Sequence, residues 1–308
     1  YLKAKLDYEF FKNFESEHTR RNYYLDIRQF FQFIAQSFTE INNPQKIERV
    51  HIVAYRNFLS DKQLAPKSIN RKLSSLSSYM DFLVEKGLMN FNPTDSIRRP
   101  RQEVIRPTED LSDDQVVNLF AAIEENKVSG PLHKAIIYLL FSTGIRKSEL
   151  INLKMKSFKT LDGHRIIEFR AKGGKFLTKV LHPNCVLVLE DYLRWMEKQG
   201  RRLDKEDYFF RPTRNPKDPA QLDNRLAPTS VDYIIHIYCQ RAGIEGRITP
   251  HSARATYIGS ALENGVDLLR VSQDVGHASV KTTQEYNKRR QKLTDSPVYK
   301  IGFLKKAS

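Results

Sequence analysis

ITPHSARATYIGSALENG, residues 248–265, and VGHASVKTTQEY, residues 275–286, lie close together in the chain. In the first, Thr249 can cap a helix, Pro250 suits the first helical turn, and His251 and Arg254 stand three residues apart. Both side chains then share one face near a helix N-terminus, where unpaired backbone N–H groups and the macrodipole favour a phosphate. In the second, Gly276 ends one helix, His277 lies in the turn, Ser279 can cap the next helix, and Tyr286 falls near that helix's end. Taken alone, His-x-x-Arg is more often a surface pair, and a lone tyrosine is more often core or rim. A third segment, STGIRKSELINL at 142–153, sets Arg146 just after Gly144 at the end of an apolar helix, with Glu149 able to support a new helix start.

Working outward from these segments, a second domain is expected from Leu111, with Ser112 or Asp113 capping the helix DQVVNLFAAIEE, followed by the apolar helix LHKAIIYLLFSTG. Two β-forming runs come next, HRIIEFR at 164–170 and FLTKVLH at 176–182. The AKGGK between them permits a tight reversal with lysines at the tip. The remainder reads as helical, interrupted by the Pro- and Asn-rich stretch 212–230. The fold class is therefore mainly α with a small antiparallel β-sheet.

The first hundred residues read as a small helical bundle. Thr19 precedes RRNYYLDIRQFFQFIAQ, in which Tyr24, Ile27, Phe31 and Ile34 recur at helical spacing. A second helix covers about 52–60, and a third starts after Pro66 and ends at Gly87. Arg20, Arg21, Lys67, Arg71 and Lys72 lie near helix N-terminal ends beside Asn and Ser, which suits phosphate contact as well as a solvated face. FNPTDSIRRPRQEVIRPTEDLS, 91–112, has three prolines, four arginines and no hydrophobic period, so it reads as an extended basic linker. The expected domains are 1–94, a helical DNA-binding bundle; 95–110, the linker; 111–290, a catalytic domain; and 291–308, a C-terminal tail.

The 308 residues carry 51 Lys and Arg against 36 Asp and Glu, a formal charge of +15, which favours a polyanionic partner, nucleic acid first. Cys185 and Cys239 lie in apolar contexts without CxxC spacing, so neither a disulfide framework nor a zinc site is expected. No apolar run approaches membrane-spanning length, and YLKAKLDYEF at the start is too charged for a signal-peptide core, so a cytoplasmic protein with no membrane partner is expected.

Arg146 in TGIRKSEL, His251 and Arg254 in HSAR, and His277 and Tyr286 in VGHASVKTTQEY resemble, in order and spacing, the tyrosine recombinase (phage integrase) family, with Xer-like wording. The resemblance covers about residues 110–290. The first domain resembles the family's SAM-like core-binding domain by position and character. It implies a DNA breaking-rejoining catalytic fold in which Arg146 and Arg254 hold the scissile phosphate and His251 and His277 orient it and assist proton transfer. Glu149 supports the first arginine, Lys172 is the general acid, and Tyr286 is the nucleophile. Lys175 and Lys179 share the hairpin with Lys172, and only the KGGK turn favours the first.

The physical chemistry agrees with that set. Attack on a phosphodiester builds negative charge on nonbridging oxygens, which bidentate, permanently charged arginines match. The leaving 5′-oxygen needs a proton, which a lysine with a lowered pKa can deliver, so no metal or other cofactor is expected. A 3′-phosphotyrosyl link conserves the bond energy, and an incoming 5′-hydroxyl reverses the reaction without ATP. The resemblance further implies double-stranded DNA with inverted half-sites, a homotetramer on synapsed DNA passing through a Holliday junction, accessory proteins, and a nucleoid location. The tail SPVYKIGFLKKAS, 296–308, is expected to dock on a neighbouring protomer. The alternatives are a type IB topoisomerase, which uses similar residues to relax supercoils, and a DNA-binding regulator that has lost catalysis. The six other histidines, Trp195 and Tyr238 are expected to pack.

Overall fold

Helix punctuation and apolar spacing account for most of the architecture in the computed structural model, which describes residues 8–101, 109–124, 127–171, 174–214, 218–290 and residue 298. The chain divides into two compact units, Tyr1–Ile105 and Arg106–Ser308. In the first, a short helical stretch at 8–12 precedes α1 (Glu17–Ser37), α2 (Arg49–Asp61) and α3 (Pro66–Glu85). α1 starts earlier than its apolar stripe suggests, because the Ser16 hydroxyl accepts from the Thr19 N–H at 3.3 Å. The stripe is borne out in part: Ile27 and Ile34 are buried as expected, together with Phe30 and Phe33, whereas Phe31 is half-buried and Tyr24 is 47% exposed. Phe30 and Phe31 are adjacent and equally apolar, so spacing alone does not say which turns inward, and packing of α1 against α3 settles it. α3 has Pro66 in its first turn, as expected, and the chain leaves it through Gly87 at φ +68°.

The stretch read as linker begins as a strap on this unit. Arg49, Arg56 and Asn70 donate to the carbonyls of Ser96, Arg98 and Pro100 at 3.0–3.3 Å, and Arg99 donates to Ser74 at 2.6 Å.

The second unit runs α4 (Asp113–Ala121), α5 (Gly130–Thr143), α6 (Lys147–Ile151), β1 (Phe158–Leu161), β2 (His164–Arg170), β3 (Phe176–Val180), α7 (Pro183–Lys198), α8 (Pro228–Arg241), α9 (Pro250–Glu263), α10 (Leu268–Asp274) and α11 (Val280–Arg290). Ser112 caps α4 in a reciprocal box with Gln115. α5 is apolar on every side: Leu132, Ala135, Ile136, Ile137, Leu139 and Leu140 are all buried, and α7 and α9 pack on it. It is the central post of the unit.

The sheet is three-stranded and antiparallel in the order β1-β2-β3, with Ile166 opposite Val180 and Phe169 opposite Leu177. The expected hairpin corresponds to β2 and β3, while β1 was not anticipated. Its sequence FKTL is short and has only one large apolar residue at each end, so period-2 alternation barely registers.

A smaller apolar cluster gathers Ala255, Ile258, Val271, Val275 and Tyr286 from α9, α10 and α11. Leu111 N–H donates to Thr256 Oγ1 at 2.9 Å, and Arg247 N–H donates to the Glu109 carboxylate at 2.7 Å, so the chain entering this unit is fastened beside α9. Both cysteines are buried, and burial pushes each thiol up to about 11. No helix among the described residues is long and apolar enough to cross a membrane.

Candidate active site

α9 opens with a reciprocal cap between Thr249 and Ser252, with Pro250 in its first turn. This fixes His251 at the exposed mouth and turns Arg254, one helical turn on, into the protein, where it is 3% exposed. A buried guanidinium needs partners, and it finds them in main-chain carbonyls: Nη1 donates to Gly144 O at 2.8 Å and Nη2 donates to Val275 O.

Arg146 is the N-cap residue of α6. Its own N–H donates to Glu149 Oε2 at 2.9 Å, its Nη1 to Glu149 Oε1 at 2.8 Å, and its Nη2 to Gly276 O at 3.1 Å. Glu149 is 7% exposed, so its charge is sheltered from screening. The expected support of the first arginine by Glu149 is thus a double contact, to main chain and side chain at once.

Arg254 is therefore anchored on two turns, and Arg146 on the second of them. The first is the C-cap of α5, where Gly144 has φ +60°, and the second follows α10, where Gly276 has φ +63°. At Gly144 a Cβ would meet Tyr257 Cδ1 at 2.7 Å, and at Gly276 it would meet Leu177 Cδ1 at 2.5 Å. Backbone conformation favours glycine at both positions, and at Gly144 the Tyr257 ring crowds a Cβ as well, whereas the Leu177 methyl at Gly276 has room to turn aside.

His277 comes out of the second turn. Its Nδ1 lies 2.8 Å from Thr283 Oγ1, and its ring stacks beside that of Tyr286, 6.2 Å between centroids and 13° between planes. Tyr286, 8% exposed, is held on α11 with its hydroxyl 3.4 Å from His251 Nε2. The site thus brings together Arg146, Glu149, His251, Arg254, His277 and Tyr286. An open groove of about 650 Å³ beside them is lined by Arg146, His251 and Arg254, together with Lys147, Asp232 and Arg247.

Burial, and after it the crowding of cations, sets the electrostatics. Burial first, and the Arg146 charge second, lower Arg254 to about 10, so it remains a cation at neutral pH. Burial, then Arg254 and Arg146, push His277 down to about 4, so its imidazole is neutral. An anion in the groove would oppose the cationic contribution to both shifts, while the contribution of burial would remain.

Lys172 lies outside the described residues. Lys175 is exposed, and its carbonyl accepts from Ala171 N–H at 2.7 Å, closing the hairpin. Lys179 behaves differently. It is 2% exposed, and its ammonium is paired with Asp274, which also accepts from Tyr257 OH at 2.8 Å. Sequence reading did not single out Asp274 or Tyr257, although an aspartate two residues before a turn glycine, in an otherwise apolar frame, is a detectable signal.

The five basic residues singled out in the first unit fall into two groups. Arg21 and Lys67 are exposed, and Arg20 reaches the Glu15 carbonyl at 3.5 Å. Arg71 and Lys72 turn toward the buried Asp26, which also accepts from Ser75. Lys72 is mostly covered, whereas the Arg71 side chain remains 47% exposed beyond its carboxylate partner. Among the described residues, no cluster of three or more His, Cys, Asp or Glu could hold a metal ion.

With this geometry in view, two family models match the chain. "Phage integrase family" covers residues 109–292, and "Phage integrase, N-terminal SAM-like domain" covers 10–87. The tyrosine recombinase XerD of Listeria innocua is 30% identical over 272 residues, spanning 88% of each chain. The tyrosine recombinase XerC of Thermodesulfovibrio yellowstonii is 30% identical over 279 residues, spanning 88% of this chain and 86% of its own. The fold is similar to that of XerH bound to palindromic difH, with a TM-score of 0.71 at 19% identity over 89% of this chain and 77% of that one. It is also similar to a lambda integrase tetramer on a Holliday junction, with a TM-score of 0.68 at 17% identity over 94% of this chain and 77% of that one.

Proposed function

From a chain that belongs to the phage integrase family and is a site-specific DNA recombinase of the tyrosine class, we infer a role for each residue of the site. The Tyr286 hydroxyl attacks the scissile phosphorus. A bond forms from the phenol oxygen to phosphorus, the bond to the 5′-oxygen breaks, and the 3′-phosphate is left on tyrosine. His251 accepts the phenolic proton, in keeping with its Nε2 lying 3.4 Å from that oxygen. Arg146 and Arg254 hold the nonbridging oxygens. Each guanidinium has five N–H groups, and the carbonyls and carboxylate that anchor it leave it fixed before substrate arrives. His277, neutral and steered by Thr283, donates to the phosphate, and Glu149 keeps Arg146 aimed. Lys172, between β2 and β3 in the sequence, supplies the proton to the leaving 5′-oxygen; Lys175 in the same segment is the alternative. Strand rejoining is the same sequence in reverse, with the incoming 5′-hydroxyl as nucleophile.

The observation that carries this reading is the contact of Tyr286 with His251 beside two arginines locked to the same turn, at Val275 and Gly276. On a nicked suicide substrate carrying the target site, a covalent protein–DNA adduct is expected from the parent and not from Tyr286→Phe, with DNA binding retained. Equal adduct from both proteins would remove the nucleophile assignment. Relatives at 30% identity are recombinases, which disfavours the topoisomerase and inactive-regulator readings.

The domain roles follow the same inference: residues 1–94 bind core DNA, 95–110 link, 111–290 catalyse, and 296–308 dock on a neighbouring protomer. Arg20, Arg21 and Lys67 meet phosphates, and Arg71 and Lys72 face the duplex from their aspartate anchor. The partner is double-stranded DNA with inverted half-sites, bound by a tetramer, with accessory proteins and a nucleoid location. Structures similar in fold include recombinases on palindromic and junction DNA, which supports the arrangement.

A further inference from the structure

β3 meets the turn behind the arginines at two points. Leu177 lies against Gly276, and two residues on, on the same face of the strand, the Lys179 ammonium reaches the Asp274 carboxylate. Asp274 ends α10, directly before Val275 and Gly276, whose carbonyls anchor Arg254 and Arg146. It also accepts from Tyr257 OH on α9. One carboxylate therefore ties three pieces together: the hairpin, α9 and the phosphate-holding turn.

A lysine at a sheet position that faces a core is costly. Burial pulls Lys179 down from its ordinary value, and the Asp274 charge opposes that shift. A methyl-rich side chain would fill the site without such a cost. What the ion pair adds is direction: N–H donors aimed at a carboxylate fix strand register and twist, which apolar packing specifies less tightly. The general acid proposed above comes from the segment between β2 and β3, which precedes Lys179 in the chain by only a few residues. A general acid works only within hydrogen-bond reach of its oxygen, and a displacement of about 1 Å can cost roughly 100-fold in rate.

We propose that Lys179, through its buried pair with Asp274, is a positioning residue that registers the β2–β3 hairpin on the turn holding Arg146 and Arg254, so that the lysine of the segment between the two strands meets the leaving 5′-oxygen. The proposal rests on the assignment of a lysine of that segment as general acid. Lys179 itself touches no reacting atom. In Lys179→Met the Tyr257–Asp274 bond still holds the turn, so the arginines keep their anchors and the loss falls on proton delivery.

The test compares two suicide substrates in single-turnover cleavage: one with the natural 5′-oxygen at the scissile position, and one with a 5′-bridging sulfur. A thiolate leaves without a proton and so bypasses the acid. Lys179→Met is expected to cleave the oxygen substrate about 10- to 100-fold more slowly than the parent and the sulfur substrate at near the parent's rate, with DNA affinity unchanged. Leu177→Ala, which loosens the other contact with the same turn and retains the ion pair, is expected to show the same pattern with a smaller oxygen defect; it carries the test if the methionine variant does not fold. Parent-like rates on both substrates, or equal losses on both, would overturn the proposal. Lys172→Ala and Lys175→Ala are run alongside. If neither is rescued by sulfur, the general-acid assignment fails instead. If one is rescued and Lys179→Met is not, the positioning role alone is wrong.

Discussion

The Tyr286 hydroxyl and His251 Nε2 face each other at 3.4 Å, although 35 residues separate them in the chain and they sit on different helices, α11 and α9. The apolar cluster of Ala255, Ile258, Val271, Val275 and Tyr286 holds the two helices in that relation. The ring of the proposed nucleophile is thus also part of a core. Tyr286→Phe keeps the ring and its packing, which makes it a clean deletion of one oxygen.

Replacing Arg254 by Ala should reduce cleavage by about 100- to 1,000-fold, the loss typical of one oxyanion-type donor, about 3–4 kcal/mol. Arg254→Lys keeps a charge but lacks the planar fork that spans Gly144 O and Val275 O, so it should recover only a small part. Single-turnover rates at saturating DNA check this, and full activity in the lysine variant would contradict the forked anchoring.

Gly276→Ala should lower both stability and cleavage. A left-handed backbone at φ +63° costs a non-glycine residue about 1–2 kcal/mol, and the new Cβ meets Leu177. For a unit of this size the backbone cost alone is worth roughly 2–4 °C of Tm per kcal/mol. Pairing it with Leu177→Ala should relieve the steric part and leave the backbone part. A melting curve identical to the parent's would count against this account.

Acid should destabilise the second unit in a defined window. His277 and His133 are both lowered from 6.5 to about 4, burial being the first cause in each; Arg254 and then Arg146 add to it at His277, and Arg241 at His133. The unfolded chain therefore binds more protons between those values, so stability is present above about pH 6.5 and is lost as pH falls toward 4. His133 Nδ1 pairs with Tyr238 OH at 3.1 Å, and neither residue lines the groove beside Arg146 and Arg254. His133→Gln should flatten the Tm-against-pH curve over that window while leaving cleavage alone, and an unchanged slope would refute it.

In the first unit, Lys67→Ala should weaken DNA binding without moving Tm, and should make the plot of log affinity against log salt shallower by about 0.9. Arg71→Ala should shift both, because its guanidinium also answers the buried Asp26. Asp26→Ala should cost toward the lower end of about 3–5 kcal/mol, since Arg71 still reaches solvent. Salt titrations and melts on the same proteins separate the two roles.

The motifs made most of the site legible beforehand. Arg146, Glu149, His251, Arg254, His277 and Tyr286 are brought together, because each sits at a helix end or one turn from it, where caps and glycines announce themselves in sequence. Lys179 and Asp274 were not legible as a pair. They are 95 positions apart, and no local rule links a strand lysine to a helix-terminal aspartate. Arg71 and Lys72 looked like a solvent-facing basic patch because the buried carboxylate that holds them lies on another helix, and helical spacing reports faces rather than what lies opposite. β1 escaped notice for a different reason: a four-residue edge strand takes its identity from its neighbour.

The acceptors that hold Arg146 and Arg254 include three main-chain oxygens, at residues 144, 275 and 276. A point substitution can delete a side-chain partner, but it cannot delete a peptide carbonyl; it can only displace the loop that bears it. Random mutation should therefore disable this grip chiefly through the two glycines that shape those loops. Libraries that vary the helices of the first unit can be searched broadly without eroding it.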